Sequence, residues 1–472
     1  MRSKIRTLNA ELNENFKERD DEIAGSLLAL VSGEHVLFIG PPGTAKSMLA
    51  RELCNCLDQG NFFYYLLTRF TTPDEIFGPL SLSLLQQDVY SRKIDGYLPT
   101  ANISFLDEIF KANSSILNAL LTILNERKYH NGAEVLNVPL YSVFGASNEL
   151  PEENESLEAL YDRFLFRYYV GYVQDETNFV DLILGHAEDF VPSVRLTIDD
   201  LCSMQQRAEE VPLDDDVLDA IVALRKEFRA TGVTVSDRRW KKMARVLRIA
   251  AVTLERGSVD KTLLPLLQHM TWNRPEERTT IRKMLIDMAV SGGVNLDRAQ
   301  KDVRDLHASA VLLKDFMLPQ EVTCQTCGEQ FTKWKGLKEH SSKNSDHAYA
   351  LPGTDELFQV FKHRVSPRLL PSLVELLEAR GTPVTLTMPP RDKELYLQEV
   401  EDFQKDLRAL ESDLNEERGR LCKALDENFW LSRKDREDIL SHYDSKTRSM
   451  GDMKSLLAET KNTILSGDRI EA

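Results

Sequence analysis

Apolar residues in the first 170 positions fall into short compact runs. HVLFIG (35–40), FFYYLL (62–67), NISFLD (102–107), LYSVFGAS (140–147) and FLFRYYVGYV (164–173) have strand length, and amphipathic stretches separate most of them. Strands that are apolar throughout are buried on both faces, and alternation with helices makes their sheet parallel. An α/β core with a parallel sheet is therefore expected. From about 198 to 280 the pattern changes. DDDVLDAIVALRKEF and DRRWKKMARVLRIAAVTL carry apolar residues at helical spacing behind acidic starts, which predicts an all-helical lid. Between 386 and 427 it changes again: Val400, Phe403, Leu407, Leu410 and Leu414 alternate intervals of three and four, and Leu421 and Leu425 resume the seam. This marks a helical stalk or bundle, with partner helices expected in 281–318.

Composition sets limits on these elements. A chain of 472 residues, 42% hydrophobic, supports two to four domains with buried cores. A net charge of −16 argues against coating nucleic acid or an anionic membrane through the whole surface, so any polyanion contact has to be local. The opening MRSKIRTLNAELNENFKERDDE has no apolar segment of the signal type, and nowhere do 18 apolar residues run together. A cytoplasmic chain without membrane insertion is expected. Six cysteines do not make a disulfide framework; Cys54, Cys56, Cys202 and Cys422 read as ordinary thiols, and Cys324 and Cys327 stand apart as a pair.

The candidate chemistry begins at GPPGTAKS, Gly40 to Ser47, between a strand and the helical MLARELCNCL. A phosphate-binding loop needs this layout. Backbone N–H groups and a helix N-terminus surround the phosphates, a lysine (Lys46) reaches the terminal pair, and a hydroxyl (Ser47) holds Mg²⁺. Ala45 stands where the common pattern has glycine. Asp107 and Glu108 close the apolar strand NISFLD, where one carboxylate can hold Mg²⁺ and the next can polarise a water. Asn148 ends another strand and can position that water. Arg163 precedes the last strand, from which a guanidinium can reach a neighbouring subunit's phosphate, or simply pair with Asp162 or Glu158. Arg238 begins a lid helix from which it could close on the phosphate of its own chain, with Arg239 as a competitor for that role.

These strings, together with LLTRFTTPDEIFGPLSL, GYLP, FLDEIFKANSSILNALLTILNER, ASNELP, SLEALYDR and VSDRRWKK, resemble the MoxR branch of the AAA+ ATPases, and within it the RavA-like proteins, over roughly residues 20–275. In that family alanine before the loop lysine is normal. The resemblance implies a hexameric ring that hydrolyses ATP with Mg²⁺ at subunit interfaces. Gly40, Pro41, Pro42, Gly43, Thr44, Ala45, Lys46, Ser47 and Met48 would surround the nucleotide, with Lys46 and Ser47 in the Walker A role. Asp107 and Glu108 would form Walker B, with Asn148 as sensor 1, Arg163 as arginine finger and Arg238 as sensor 2. Residues 80–99 would be the helix-2 insert and 128–140 a hairpin, both facing the pore. Such proteins assemble or activate partners, often a von Willebrand factor A (VWA) domain protein.

Beyond residue 275 the likeness thins to the character of a helical stalk, and a second motif enters. Cys324-x2-Cys327-x3-Phe331-x5-Leu337-x2-His340-x6-His347 has the ligands and apolar positions of a Cys2His2 zinc finger. Its last interval is one residue longer than usual, so the helix before His347 should be loosened or broken, or His363 should replace it. The base-facing positions Lys333, Gly336 and Glu339 form a poor reading set for DNA. Lys333, Lys335 and Lys338 could touch phosphates, and Trp334 suits an interface of either kind. The whole sequence predicts an AAA+ core at 1–185 and a lid at 186–280. A stalk at 281–320 and 386–472 carries a zinc-finger-like insertion at 321–385. The expected activity is ATP-driven remodelling of a protein client docked through stalk and finger; the alternative is a nucleic-acid motor or defence factor whose finger binds DNA or RNA.

Overall fold

Each of the five apolar runs forms a strand in the computed structural model, which describes all residues except 152–154, 185–189, 291–294, 312–316, 345–346, 351–356, 359–389 and 467–472. In chain order these are β1 (His35–Ile39), β2 (Phe62–Leu66), β3 (Ile103–Asp107), a hairpin of β4 (Lys128–Asn131) and β5 (Glu134–Asn137), then β6 (Ser142–Ser147) and β7 (Phe164–Tyr169). The main sheet has the order β2-β3-β6-β1-β7 and every neighbouring pair is parallel. β1, flanked by β6 and β7, is buried at all five positions, which explains why its residues after His35 are apolar throughout instead of alternating. Ile39 lies level with Ser147, and Leu66 with Asp107, so the strands end together along one edge.

After the sheet come the lid helices Ile198–Glu210, Asp215–Thr231, Asp237–Thr253, Gln268–Thr271 and Arg278–Ala289. Their starts are capped as the sequence suggests. Thr197 and Asp200 form a reciprocal capping box, and the Ser236 hydroxyl accepts from Arg239 N. Arg167 of β7, 1% exposed, donates to the carbonyls of Trp272 (2.7 Å), Tyr161 (3.0 Å) and Phe164 (3.1 Å) and to Asn273 Oδ1 (2.9 Å). A buried guanidinium needs such a full set of acceptors, and here they tie the sheet to the lid.

Met1–Ser291 and Arg420–Leu440 form one compact unit; Gly292–Gly419 and Ser441–Ala472 form the second. In the second, the predicted seam residues Val400 and Leu407 are buried with Leu296, Val303 and Leu306 and with Met450, Met453 and Leu457. Helix Asp297–Val311 is thus the partner expected in 281–318, and helix Arg433–Ser466 supplies a third side to helix Pro390–Asp426. The same unit holds a small sheet of order β11-β10-β8-β9, where β8 is Met317–Cys324, β9 Gln330–Lys333, β10 Tyr349–Ala350 and β11 Leu357–Phe358, with helix Trp334–Lys343 between β9 and β10. Among the described residues no helix is long and apolar enough to cross a membrane.

Candidate functional site

At the end of β1 the chain turns through GPPGTAKS into helix Lys46–Asn55. Gly40 passes so close to β7's continuation that a Cβ would stand 2.2 Å from the Val170 carbonyl oxygen. Ala45, the residue before the lysine, has φ 63°. A left-handed alanine costs about 1–2 kcal/mol, which accounts for the glycine usual at this position. Lys46 Nζ donates to the carbonyls of Gly40 (2.9 Å) and Pro41 (2.7 Å) and to Thr44 Oγ1 (3.3 Å). The ammonium is thus held inside its own loop by oxygens that phosphate oxygens can replace. Burial lowers its pKa, against the attraction of Asp107 and Glu108.

Asp107 ends β3 beside this loop, and burial raises its pKa despite the Glu108 backbone N–H bonded to it at 3.0 Å. Glu108 has left-handed backbone (φ 53°), an uncommon state for a glutamate and one found at sites where function dictates geometry. Its Oε1 accepts from Asn148 Nδ2 at 2.6 Å, and its Oε2 pairs with Lys111 at 3.1 Å. Lys46, Asp107, Glu108 and Asn148 therefore meet at the C-terminal edge of the sheet. Ser47, in the first turn of the helix, is exposed there. Sequence reasoning missed Arg19. Its guanidinium, lining a small cavity with Phe16, Thr44 and Lys46, donates to the Gly171 carbonyl at 2.6 Å. A lone arginine outside any motif gives no signal for this.

The three arginines of the reading part company. Arg163 immediately precedes Phe164, which pairs beside His35 at the start of β1, opposite the loop. Its Nη1 donates to Ala159 O at 3.2 Å and lies 3.8 Å from Asp162. Arg238 is exposed and donates to Asn125 Oδ1 at 3.3 Å. Asn125 is two residues from Arg127, whose Nη2 reaches the Gly33 carbonyl just before β1. Arg163 and Arg238 thus share the N-terminal edge, and burial together with Arg238's charge lowers the Arg163 pKa. A five-residue strand, about 15 Å, separates them from Lys46. Closure of Arg238 on its own chain's phosphate is not what this conformation shows. The cause is tertiary: helix Asp237–Thr253 packs on helices Asp20–Ser32 and Ile198–Glu210, and Ser236 Oγ bonds Asp162 Oδ1 at 3.2 Å. Arg239 is 1% exposed, with its guanidinium on Asn273 Oδ1 (3.0 Å) and the Met270 carbonyl.

The residues fit the groups the motifs call for. Among the described residues nothing stands within 4 Å of a Cβ position on Gly43, so the turn of the loop is uncrowded there. One hydroxyl and one carboxylate are the donor set of a Mg²⁺ that keeps most of its waters. In the second unit, Cys324, Cys327, His340 and His347 bring their ligand atoms within 4.8 Å of one another, a donor set suited to tetrahedral Zn²⁺. Cys324 Sγ is 3.3 Å from His347 Nδ1 and Cys327 Sγ 3.2 Å from His340 Nε2. The helix ends at Lys343, so His347 arrives from beyond it, as its long spacing requires. His363 and the side chains of Trp334, Lys335 and Lys338 lie outside the described residues. Tyr349, unnoticed in the sequence, puts its hydroxyl 2.9 Å from His340 Nδ1, because β10 sets Tyr349 level with Cys324 on β8.

Residues 3–195 match the MoxR domain of the MoxR-vWA-beta-propeller ternary systems, and 216–285 match an AAA lid domain. Two uncharacterised proteins of Methanocaldococcus jannaschii are similar over most of their length. One is 44% identical over 286 residues, 60% of this chain and 74% of its own, and the other 46% identical over 274 residues, 58% and 72%. The chain belongs to the MoxR family of AAA ATPases. A structural protein of Acidianus two-tailed virus is 31% identical to the MoxR chain over 178 residues, 35% of this chain and 29% of the viral one. A crystal structure of a candidate ATPase from Cytophaga hutchinsonii covers 60% of the MoxR chain and 94% of its own length, at 18% identity and a TM-score of 0.49.

Proposed function

We propose that this MoxR chain hydrolyses ATP at the junctions of a homo-oligomeric ring, hexameric as in RavA-like proteins, and uses the turnover to remodel, assemble or activate a protein partner. The observation that carries this reading is the division of the site. Lys46, Asp107, Glu108 and Asn148 meet at one edge of the sheet, and Arg163 and Arg238 lie at the other. One chain holds half of a phosphoryl-transfer site at each end, so a neighbour has to bring its arginines to complete it.

In this reading the Gly40–Met48 loop and Lys46 hold the phosphates, and Ser47 and Asp107 would hold a Mg²⁺ ion, which would supply charge neutralisation for the phosphate oxygens. Glu108 accepts a proton from the attacking water, and Asn148 fixes its carboxylate through the 2.6 Å bond. Arg163 and Arg238 of the neighbouring copy stabilise the charge that develops. The finger takes Zn²⁺ through Cys324, Cys327, His340 and His347 and, with the stalk, docks the client. The family description points to VWA and β-propeller proteins as the first partners to try. The reading divides the chain into core (1–185), lid (186–280), stalk (281–320 and 386–472) and finger (321–385), of which the stalk's residues up to Ser291 and Arg420–Leu440 belong to the same compact unit as core and lid.

Mixing two inactive variants tests the reading. Arg163→Ala and Lys46→Ala subunits should regain activity together, because some junctions then carry an intact loop and an intact arginine. No recovery at any ratio, with mixed rings confirmed by mass, refutes completion by the neighbour. ATPase stimulated strongly by DNA or RNA would move the finger from protein docking to nucleic-acid loading.

A further inference from the structure

Three segments far apart in sequence bring ligand-type side chains to one point of the first unit. Asp21 lies in the first turn of helix Asp20–Ser32, His269 in helix Gln268–Thr271, and Asp435 in the first turn of helix Arg433–Ser466; their donor atoms lie within 4.8 Å of one another. Asp435 and His269 are 2% and 8% exposed. With Gln268 and Tyr168 they line a cavity of about 10 Å³, room for one water-sized particle.

A second observation comes from Tyr168. It is 2% exposed and lines the cavity, yet its hydroxyl has no hydrogen-bond partner among the described residues. That hydroxyl lies 1.5 Å from where a Cβ on Gly25 would stand, so only glycine admits it. An orphaned buried phenol O–H costs free energy unless something polar faces it. Nor does His269 satisfy the acids. Its Nε2 stands 3.9 Å from Asp21 Oδ1, beyond hydrogen-bond reach. Asp435 is held in place as ligating carboxylates commonly are: its Oδ1 accepts from Arg282 Nε (3.0 Å) and Nη2 (2.8 Å), and its Oδ2 from Gln268 Nε2 (2.8 Å). Arg282 divides its charge with Asp438.

We propose that Asp21, His269 and Asp435 bind one divalent transition-metal ion of the zinc–manganese class, which pins the segment Arg420–Leu440 to helix Asp20–Ser32. One imidazole with two carboxylates disfavours Mg²⁺ and Ca²⁺, which take oxygen donors, and the lack of thiolate disfavours Cu(I). Asp21 is two residues from Arg19, which stands beside Lys46, so the ion joins the returning carboxy-terminal segment to the helix that borders the nucleotide loop.

The test uses the full-length, nucleotide-free protein stripped of metal and titrated with Mn²⁺, read by electron paramagnetic resonance. Manganese favours oxygen and nitrogen over thiolate, so the finger stays silent. Asp21→Asn is the first variant because that carboxylate is 39% exposed and the change is isosteric. The parent should bind one more Mn²⁺ per chain than Asp21→Asn, and its melting temperature should rise with Mn²⁺ where the variant's does not. Binding at Ser47 and Asp107 is common to both proteins and cancels. His269→Gln is read in the same way, should Asp21→Asn fail to fold. Equal Mn²⁺ counts and equal thermal shifts in parent and folded variant overturn the proposal and leave a bound water in the cavity.

Discussion

Arg238 and Arg239 are adjacent and chemically identical, and replacing each by alanine should give opposite outcomes. The Arg239 guanidinium is 1% exposed and donates to Asn273 Oδ1 at 3.0 Å and to the Met270 carbonyl. Burial pushes its pKa down to about 9, which leaves it charged at neutral pH. Hydrogen bonds from a charged group are worth about 1.5–3 kcal/mol each. Arg239→Ala forfeits two, leaves the Met270 carbonyl without that donor, and relieves some repulsion from buried Arg167. The net cost is about 3–5 kcal/mol. At roughly 2 °C per kcal/mol for a unit of this size, the melting temperature should fall by roughly 6–10 °C. Arg238 is exposed with a single 3.3 Å bond, so its loss should change stability by less than about 0.5 kcal/mol. Turnover should nevertheless drop roughly a thousandfold if that guanidinium completes a neighbour's site. Thermal melts and steady-state ATPase on both variants decide the matter. Arg239→Ala melting with the parent but without turnover, beside an active Arg238→Ala, would reverse the two roles and refute the reasoning.

The remaining predictions concern protons and metals. Glu108→Gln should retain ATP binding and lose turnover by roughly 10²- to 10⁴-fold, measured as nucleotide affinity against single-turnover rate; unchanged turnover would remove Glu108 from the chemistry. Tyr349→Phe deletes the bond to His340 Nδ1 and should weaken zinc binding about 10- to 100-fold in a chelator competition; equal affinity would mean the imidazole is oriented without it. Burial raises Glu22 from 4.5 to about 7, with Asp21 adding to the rise and Arg19 and Arg278 opposing it. Below pH 4.5 both states carry the proton; from there to about pH 7 the unfolded chain releases it and the folded chain keeps it, so this group's contribution to stability falls across that window. The melting temperature of Glu22→Gln relative to the parent should therefore climb from about pH 4.5 to pH 8. A gap that stays constant would show that Glu22 ionises in the folded state as it does in the unfolded one.

What could be read from sequence was whatever the backbone needs in contiguous form. A phosphate loop demands a strand, a turn and a helix start in one string, and GPPGTAKS stands in that context. Strands β1, β3 and β6 were legible because burial on both faces leaves them almost uniformly apolar, whereas edge strand β2 is apolar although Tyr64 and Leu66 are exposed; the stalk seam was legible because intervals of three and four survive without knowledge of the partner. Placement by packing was not legible. Whether Arg238 faces its own loop or the opposite edge depends on how helix Asp237–Thr253 settles on helices Asp20–Ser32 and Ile198–Glu210, and no local pattern encodes that. For Arg239 a signal was present. Positions 239, 243, 246 and 250 share the buried helical face of Met243, Val246 and Ala250, so a polar residue there belongs to the interior. Tyr349 was hidden because its role follows from the pairing of β10 with β8. The residues that resisted reading are those that join segments: Arg167 from sheet to lid, Asp435 from the carboxy-terminal return to the core, and Arg238, read as closing on its own chain, from one chain to the next in the proposed ring; Arg163 was legible as a residue that reaches a neighbour. The proposed ring would have to couple its parts at such places, and a local string specifies the chemistry at each part more readily than the coupling between them.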